Sequence, residues 1–353
     1  MTPLRVMVVD DSVTVRKRIV EVLSAQPDFS VVAEAANGQE AIETCQRLRP
    51  DAITLDMMMP VMTGLAATEY IMAYCPTPIL VVSSSFNRGE LFKTYDALAA
   101  GALDVLEKPD AEGDGLAWER QLVSTLRLVA RIKVITHPRG RLPHLQDRAR
   151  VGPGQLPLPN LARADCRLVA IGASTGGPGA LVEILNALPR DFALPLLVVL
   201  HISPAFGGAF ADWLQGLSNF SVTFAKDGEP LPRPGTCRVV MAPPDRHLVV
   251  SEGRMRLSAE PERHSCRPSV DVLFESVARE LGSASAACLL TGMGRDGAAG
   301  LLAIRRAGGL TLVQDESTSV VFGMPREAIA LGAAGEVLRL DQIAPVLARL
   351  SPH

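Results

Sequence analysis

Short apolar runs alternate with helix-period stretches along nearly the whole chain, in two blocks separated by a polar, proline-rich interval. In the first block RVMVV, VVAEA, AITL, ILVV and DVLE are short and mostly apolar, the pattern of strands buried on both faces of a sheet. VRKRIVEVLSA, QEAIETCQRL, GLAATEYIMAY, LFKTYDALAA and WERQLVSTLRLVARI follow them in turn, with apolar residues at helical spacing. Five strands alternating with five helices predict an α/β fold, a doubly wound (βα)5 parallel sheet over residues 1–124.

The rhythm resumes at Cys166 with LVAIG, PLLVVL, CRVVMA, HLVVS, MRLSA, AACLLTG, LTLVQ and EVLRL as strands. Helical patterns lie among them at 178–188, 208–217, 270–281 and 297–307. A second α/β parallel-sheet domain is expected over 166–350. The interval 125–165 reads as a linker: residues 131–167 hold five prolines and eight Lys/Arg against Asp147 and Asp165, with no usable hydrophobic period. Its positive charge reads as a solvated face, with docking of an acidic partner as the other reading.

Composition narrows the classes. A chain of 353 residues is long for one core, which fits two domains. With 48% hydrophobic and 21% charged residues and a formal charge of −3, it lacks the electrostatic footprint of a nucleic-acid binder. The six cysteines form no C-x-x-C pair, as expected of reduced thiols in a cytoplasmic protein. MTPLRVMVVDDS does not read as a signal peptide. The uncharged stretch between Asp191 and Asp212 carries Pro195, Pro204, Gly207 and Gly208, so it reads as a strand and loop with no membrane insertion.

Candidate chemistry gathers at strand ends. Asp10 and Asp11 end the first strand and Asp56 the third, where an open parallel sheet forms its ligand crevice. Three carboxylates there repel one another unless a hard cation such as Mg²⁺ sits among them. Ser83 follows the fourth strand and Lys108 the fifth, adding a hydroxyl and a cation to the same edge. Together they fit an aspartyl phosphate at Asp56. Singly, Asp10, Asp11 and Ser12 are also what a helix cap requires.

In the second block, Gly172, Ser174 and Gly176 fit the G-x-S-x-G turn that holds a serine hydroxyl at a strand end. Small residues are expected there because flanking side chains would collide with the helix that follows. A phosphate-cradling dinucleotide turn is the rival reading. It wants an acidic residue after the next strand, and that strand ends in His201, which suits a general base instead. Asp296 lies in LLTGMGRDGAAG, a third strand-to-turn junction, whose glycines at 292, 294 and 297 are expected to free N–H groups for an oxyanion. The order Ser, His, Asp differs from that of α/β-hydrolases.

The segments VVDDS, LDMMMP, VVSSS and EKP closely resemble the receiver domains of two-component response regulators, over residues 4 to about 124. The resemblance implies that a histidine kinase phosphorylates Asp56, and that Asp11, Asp56 and the Met58 carbonyl hold Mg²⁺ with support from Asp10. It also implies that Ser83 and Lys108 contact the phosphoryl group. Val105 stands where many receivers carry a switching aromatic. The segments IGASTGGP, HISPAFGGAFADWL, DGEPLPRPGT, MAPPDRHL, RPSVDVLFES, LLTGMGRDGAAGL and QDESTSVVFGMPREAI closely resemble the catalytic domain of the chemotaxis protein-glutamate methylesterase (CheB) family. That resemblance implies Ser174 as nucleophile, His201 as base, Asp296 as its orienting partner, and Thr175 and the backbone near Met293 beside the oxyanion. The expected activity is phosphorylation-activated hydrolysis of glutamate methyl esters on chemoreceptors, with deamidation of glutamines and no cofactor for the ester step. A non-enzymatic response regulator is the rival class; no helix-turn-helix follows the receiver, and all three triad residues are present.

Overall fold

The computed structural model describes residues 2–84, 88–109, 115–132, 134, 166–236 and 238–350. They form two compact units, one within residues 1–153 and one within 154–353. Most of the expected linker, residues 133 and 135–165, therefore lies outside the described residues, as does Cys237.

In the first unit the chain runs β1 (Leu4–Val9), α1 (Val13–Ser24), β2 (Phe29–Ala35), α2 (Gly38–Leu48), β3 (Ala52–Leu55), α3 (Gly64–Tyr74), β4 (Ile79–Ser83), α4 (Arg88–Ala99), β5 (Asp104–Glu107) and α5 (Gly115–Val129). All pairings are parallel and the strand order is β2-β1-β3-β4-β5. The order reverses between β1 and β3, so their carboxyl ends open a crevice at that point. Side chains of Ser12, Asn37 and Thr63 accept the free N–H groups at the starts of α1, α2 and α3. α5 stays helical to Val129 because Leu126 and Val129 are buried, within the stretch WERQLVSTLRLVARI that the sequence presents as helix.

The second unit runs β6 (Leu168–Ala173), α6 (Gly177–Ala187), β7 (Leu196–Leu200), α7 (Pro204–Gly207), α8 (Phe210–Leu217), β8 (Ser221–Phe224) and β9 (Arg238–Met241). A hairpin of β10 (His247–Ser251) and β11 (Arg254–Ser258) follows, then α9 (Val270–Leu281), β12 (Ser285–Leu289), α10 (Ala298–Arg306), β13 (Leu310–Gln314), α11 (Met324–Ala330), β14 (Glu336–Leu338) and α12 (Leu340–Ala348). The seven-stranded sheet is ordered β14-β13-β12-β6-β7-β9-β8 with every pairing parallel. β6 is flanked by β12 and β7, so three neighbouring strands bring their carboxyl ends to one place. On one face Leu197, Val199, Val240, Leu289 and Val313 pack against Leu273, Phe274 and Val277 of α9 and Leu301 of α10. That packing positions the start of α9 above the strand ends. Among the described residues no helix is long and apolar enough to cross a membrane.

Candidate active site

Ser174 leaves the end of β6 with its N–H donating to the Thr291 carbonyl (3.0 Å) in the turn after β12. The His201 N–H, at the end of β7, donates to the Ala173 carbonyl (3.0 Å), which ties the histidine loop to the serine turn. Gly176 has φ +80°, and a Cβ there would lie 2.5 Å from Val320 Cβ. At Gly172 a Cβ would sit 2.2 Å from Val270 Cγ1, so the crowding comes from α9 and not, as the sequence suggested, from the helix after the serine.

Asp296, in the loop after β12, is almost wholly buried at the N-terminus of α9. Its Oδ1 accepts from Ser269 Oγ (2.7 Å) and the Asp271 N–H (3.1 Å). Its Oδ2 accepts from the Val270 N–H (2.7 Å) and pairs with His201 Nε2 (2.9 Å). Burial pushes the carboxyl up, but the bonds and charge of His201 with the bonds from Ser269 and Asp271 outweigh it and hold the group below its ordinary value. The positive end of α9 adds to this. Burial also pushes the His201 imidazole down; hydrogen bonds to Asp296 and Cys266 and their charges overcome it and lift the group to about 9. With Asp296 ionised, Nε2 carries a proton, and Nδ1 is the nitrogen whose lone pair is free for chemistry once the ring is neutral.

Behind this pair stands a layer that sequence reasoning missed. Ser269 caps α9, and its own N–H donates to His247 Nδ1 (3.1 Å). His247 is buried and donates from Nε2 to the Pro261 carbonyl (3.2 Å). Ser269 had one visible signal, a serine just before the helical pattern VDVLFESVAREL. His247 and Cys266, whose Sγ lies 3.7 Å from His201 Nδ1, had none. His264 forms a second pair, Nε2 to Asp271 Oδ2 (3.1 Å), while its Nδ1 accepts from Arg295 (3.2 Å), so both ring nitrogens are engaged.

Thr175 follows Ser174 in its turn, Met293 follows Gly292, and both are half-buried. The Thr175 carbonyl accepts from Thr291 Oγ1 (2.9 Å). The expectation that Gly292 offers a free N–H is overturned: it donates to the Val321 carbonyl (2.9 Å). Gly292 is needed for space instead, since a Cβ would lie 2.9 Å from Ser174 Cβ and 2.2 Å from Met324 Sδ. Among the described residues the Met293 N–H donates to no backbone carbonyl.

In the first unit, Asp10, Asp11 and Asp56 each present a carboxylate oxygen within 4.8 Å of the others. Lys108 Nζ lies 3.1 Å from Asp10 Oδ2 and 3.0 Å from Asp56 Oδ1. Asp56 Oδ1 also accepts the Met57 N–H (2.8 Å), while Asp56 Oδ2 is buried with no hydrogen-bond partner, as is Ser83 Oγ. Burial and the charge of Asp10 lift Asp56 to about 6 against the opposing pull of Lys108. A buried, unpartnered carboxylate oxygen beside two more carboxylates is a donor set suited to an oxygen-preferring divalent cation. Met58 keeps its side chain exposed, with Sδ 3.3 Å from Lys93 Nζ. Val105 is buried in β5, so no side chain at that position rotates between core and solvent as an aromatic would.

The family described as CheB methylesterase matches residues 169–347, and the one described as response regulator receiver domain matches residues 6–117. A protein-glutamate methylesterase/protein-glutamine glutaminase of Anaeromyxobacter dehalogenans is 46% identical over 349 residues, 99% of this chain and 97% of the relative. A namesake from Myxococcus xanthus is 44% identical over 348 residues, 97% of this chain and 95% of its own. Among solved structures, the catalytic domain of CheB methylesterase from Thermotoga maritima is 37% identical and covers 52% of this chain and 98% of its own, with a TM-score of 0.49. With a receiver domain ahead of a methylesterase domain and such identity over nearly its full length, the chain belongs to the CheB methylesterase family.

Proposed function

We propose that this protein is a protein-glutamate methylesterase of chemosensory signalling, switched on by phosphorylation of its receiver domain, and that it also deamidates receptor glutamines. The observation that carries the reading is the convergence of Ser174, His201 and Asp296 on three adjacent parallel strand ends, with Asp296 fixed by the first turn of α9. Ser174 Oγ attacks the side-chain ester carbonyl while His201 Nδ1 takes its proton. The Nε2–H stays on Asp296, whose charge stabilises the imidazolium as it forms. The tetrahedral oxyanion is assigned to backbone N–H groups around Met293 and Thr175. The imidazolium returns its proton to the leaving methoxide, and methanol departs. A water deprotonated by the same nitrogen then frees the glutamate. With a glutamine substrate the leaving group is ammonia.

In the receiver, Asp56 is assigned as phosphoacceptor, Asp10, Asp11, Asp56 and the Met58 carbonyl as the Mg²⁺ site, and Ser83 and Lys108 as contacts to the phosphoryl group. Receiver domains generally use Mg²⁺, which supplies charge neutralisation when bound; the unpartnered Asp56 Oδ2 supports this assignment. The partners inferred are a histidine kinase as phosphodonor and methylated chemoreceptors as substrate, in the cytoplasm, where unpaired thiols such as the five described here persist. Methanol release from methylated receptor, with and without a small phosphodonor and Mg²⁺, tests the reading. Release stimulated by the phosphodonor supports it; no release under either condition overturns it.

A further inference from the structure

Four of the five described cysteines are buried, and Cys266 alone is half-buried, in the turn before α9. Its Sγ lies 3.7 Å from His201 Nδ1 and 3.4 Å from the His264 carbonyl. Zinc holds a thiolate at about 2.3 Å and an imidazole nitrogen at about 2.0–2.1 Å, so a tetrahedral angle places sulfur and nitrogen about 3.6 Å apart. The two atoms already stand at that separation.

The surroundings agree with a metal-ligating role. Metal-bound histidines commonly donate their other ring N–H to a carboxylate, which sets the tautomer and the ring orientation. His201 does so through Nε2 to Asp296, which leaves the Nδ1 lone pair directed towards the sulfur side. Ligand atoms of His201, Cys266 and Asp296 all lie within 4.8 Å of one another. The His201 side chain keeps 14% of its surface in solvent, so water can fill the remaining positions of an ion. A sulfur–nitrogen pair selects thiophilic divalent ions over Mg²⁺, whose place is among the receiver's carboxylates.

We propose that Cys266 Sγ and His201 Nδ1 form a binding site for a zinc-class divalent ion within the esterase centre, and that the ion inhibits the enzyme. Below about pH 9 binding replaces two protons, the one on the Cys266 thiol and the one on His201 Nδ1, with a metal–thiolate and a metal–nitrogen bond, and both protons are released to solvent. Nothing is oxidised or reduced. The Nδ1 lone pair is the one assigned above to receive the Ser174 proton, so an ion and a turning-over substrate exclude each other. The inhibition rests on the proposed function; the binding does not.

The test uses the full-length protein with Mg²⁺ in excess and Co²⁺ as the probe. One equivalent of Co²⁺ should raise a near-ultraviolet thiolate-to-metal charge-transfer band that Zn²⁺ displaces. Zn²⁺ should also suppress methanol release, with activity restored by a chelator. Cys266→Ser should lose the band and weaken inhibition by on the order of 10–100-fold, the range for losing even an outer-sphere partner. Cys266→His, which offers nitrogen in place of sulfur, should bring back zinc inhibition without the band. A band that persists in Cys266→Ser, or inhibition of that folded variant at the wild-type zinc concentration, overturns the site. A band displaced by Zn²⁺ with methanol release untouched keeps the site and overturns the assignment of Nδ1 as the base.

Discussion

Asp296→Asn separates the charge of this aspartate from its geometry. An amide has one acceptor oxygen and one donor nitrogen, so only one of two orientations suits each neighbour. With its oxygen in the Oδ2 place, the amide still accepts from the Val270 N–H and His201 Nε2. Its NH₂ group then faces Ser269 Oγ and the Asp271 N–H. The Ser269 hydroxyl can rotate to accept, leaving only the Asp271 N–H opposed. The reverse orientation sets NH₂ against the short Val270 contact and forces the proton onto Nδ1. The first orientation is favoured, and it preserves the reactive tautomer.

The loss is therefore one of charge and not of the tautomer, which in triads costs about 10⁴ in rate. The imidazole stands at about 9 against an ordinary 6.5. Each pH unit corresponds to about 1.36 kcal/mol, so losing support equal to that net shift costs roughly 300-fold in turnover. The opposed Asp271 N–H should lower stability by about 1–3 kcal/mol, read from the urea midpoint of the second unit. Initial rates of methanol release give the kinetic term. A loss of about 10⁴ or more means that the amide took the other orientation and that the argument from Ser269 is wrong. A loss under threefold means that Asp296 does not support His201.

Ser269→Ala removes a buried hydrogen bond to a charged group together with the cap of α9; it should cost about 1.5–3 kcal/mol in chemical denaturation and slow esterase turnover without raising KM. The reaction needs neutral His201, so kcat/KM, corrected for uncatalysed hydrolysis, should climb with pH and level off near 9, and in Asp296→Asn the break should move towards neutrality. The same elevation ties stability to pH: the His201 contribution is complete below about 6.5 and lost as pH rises through about 9, which calorimetric scans across that window should show as a falling Tm. Asp56→Asn should abolish phosphodonor labelling and its stimulation of the esterase while leaving basal methanol release, and radiolabel retained in that variant would move the acceptor elsewhere.

Strands were the most legible part of the chain, since a strand buried on both faces has an almost continuously apolar sequence and a sharp polar end. β3 and β5 coincide with AITL and DVLE, and β6 with LVAIG to within one residue. Short elements and a helix with an internal proline were missed. β8 is a four-residue edge strand with only Val222 buried, α11 is one short helix opening on a proline, and α12 carries Pro345 inside it. EVLRL was read as one strand, yet β14 stops at Leu338 because Leu340 begins α12. At the site, Ser174, His201 and Asp296 stood out because each follows an apolar run. His247, Cys266 and Ser269 reach it from a hairpin and a helix start that no spacing along the chain relates to β6, and only tertiary packing brings them together.

In the proposed reaction Ser174 performs the attack on a glutamate methyl ester. The most direct test of this role is methanol release from methylated receptor by wild-type protein and Ser174→Ala side by side, in the presence of phosphodonor and Mg²⁺, with both proteins shown to be folded. The alanine variant should be slower by on the order of 10⁶-fold, as when the nucleophile of a linked triad is removed. Methanol release by Ser174→Ala at a rate near that of the wild type would contradict that role.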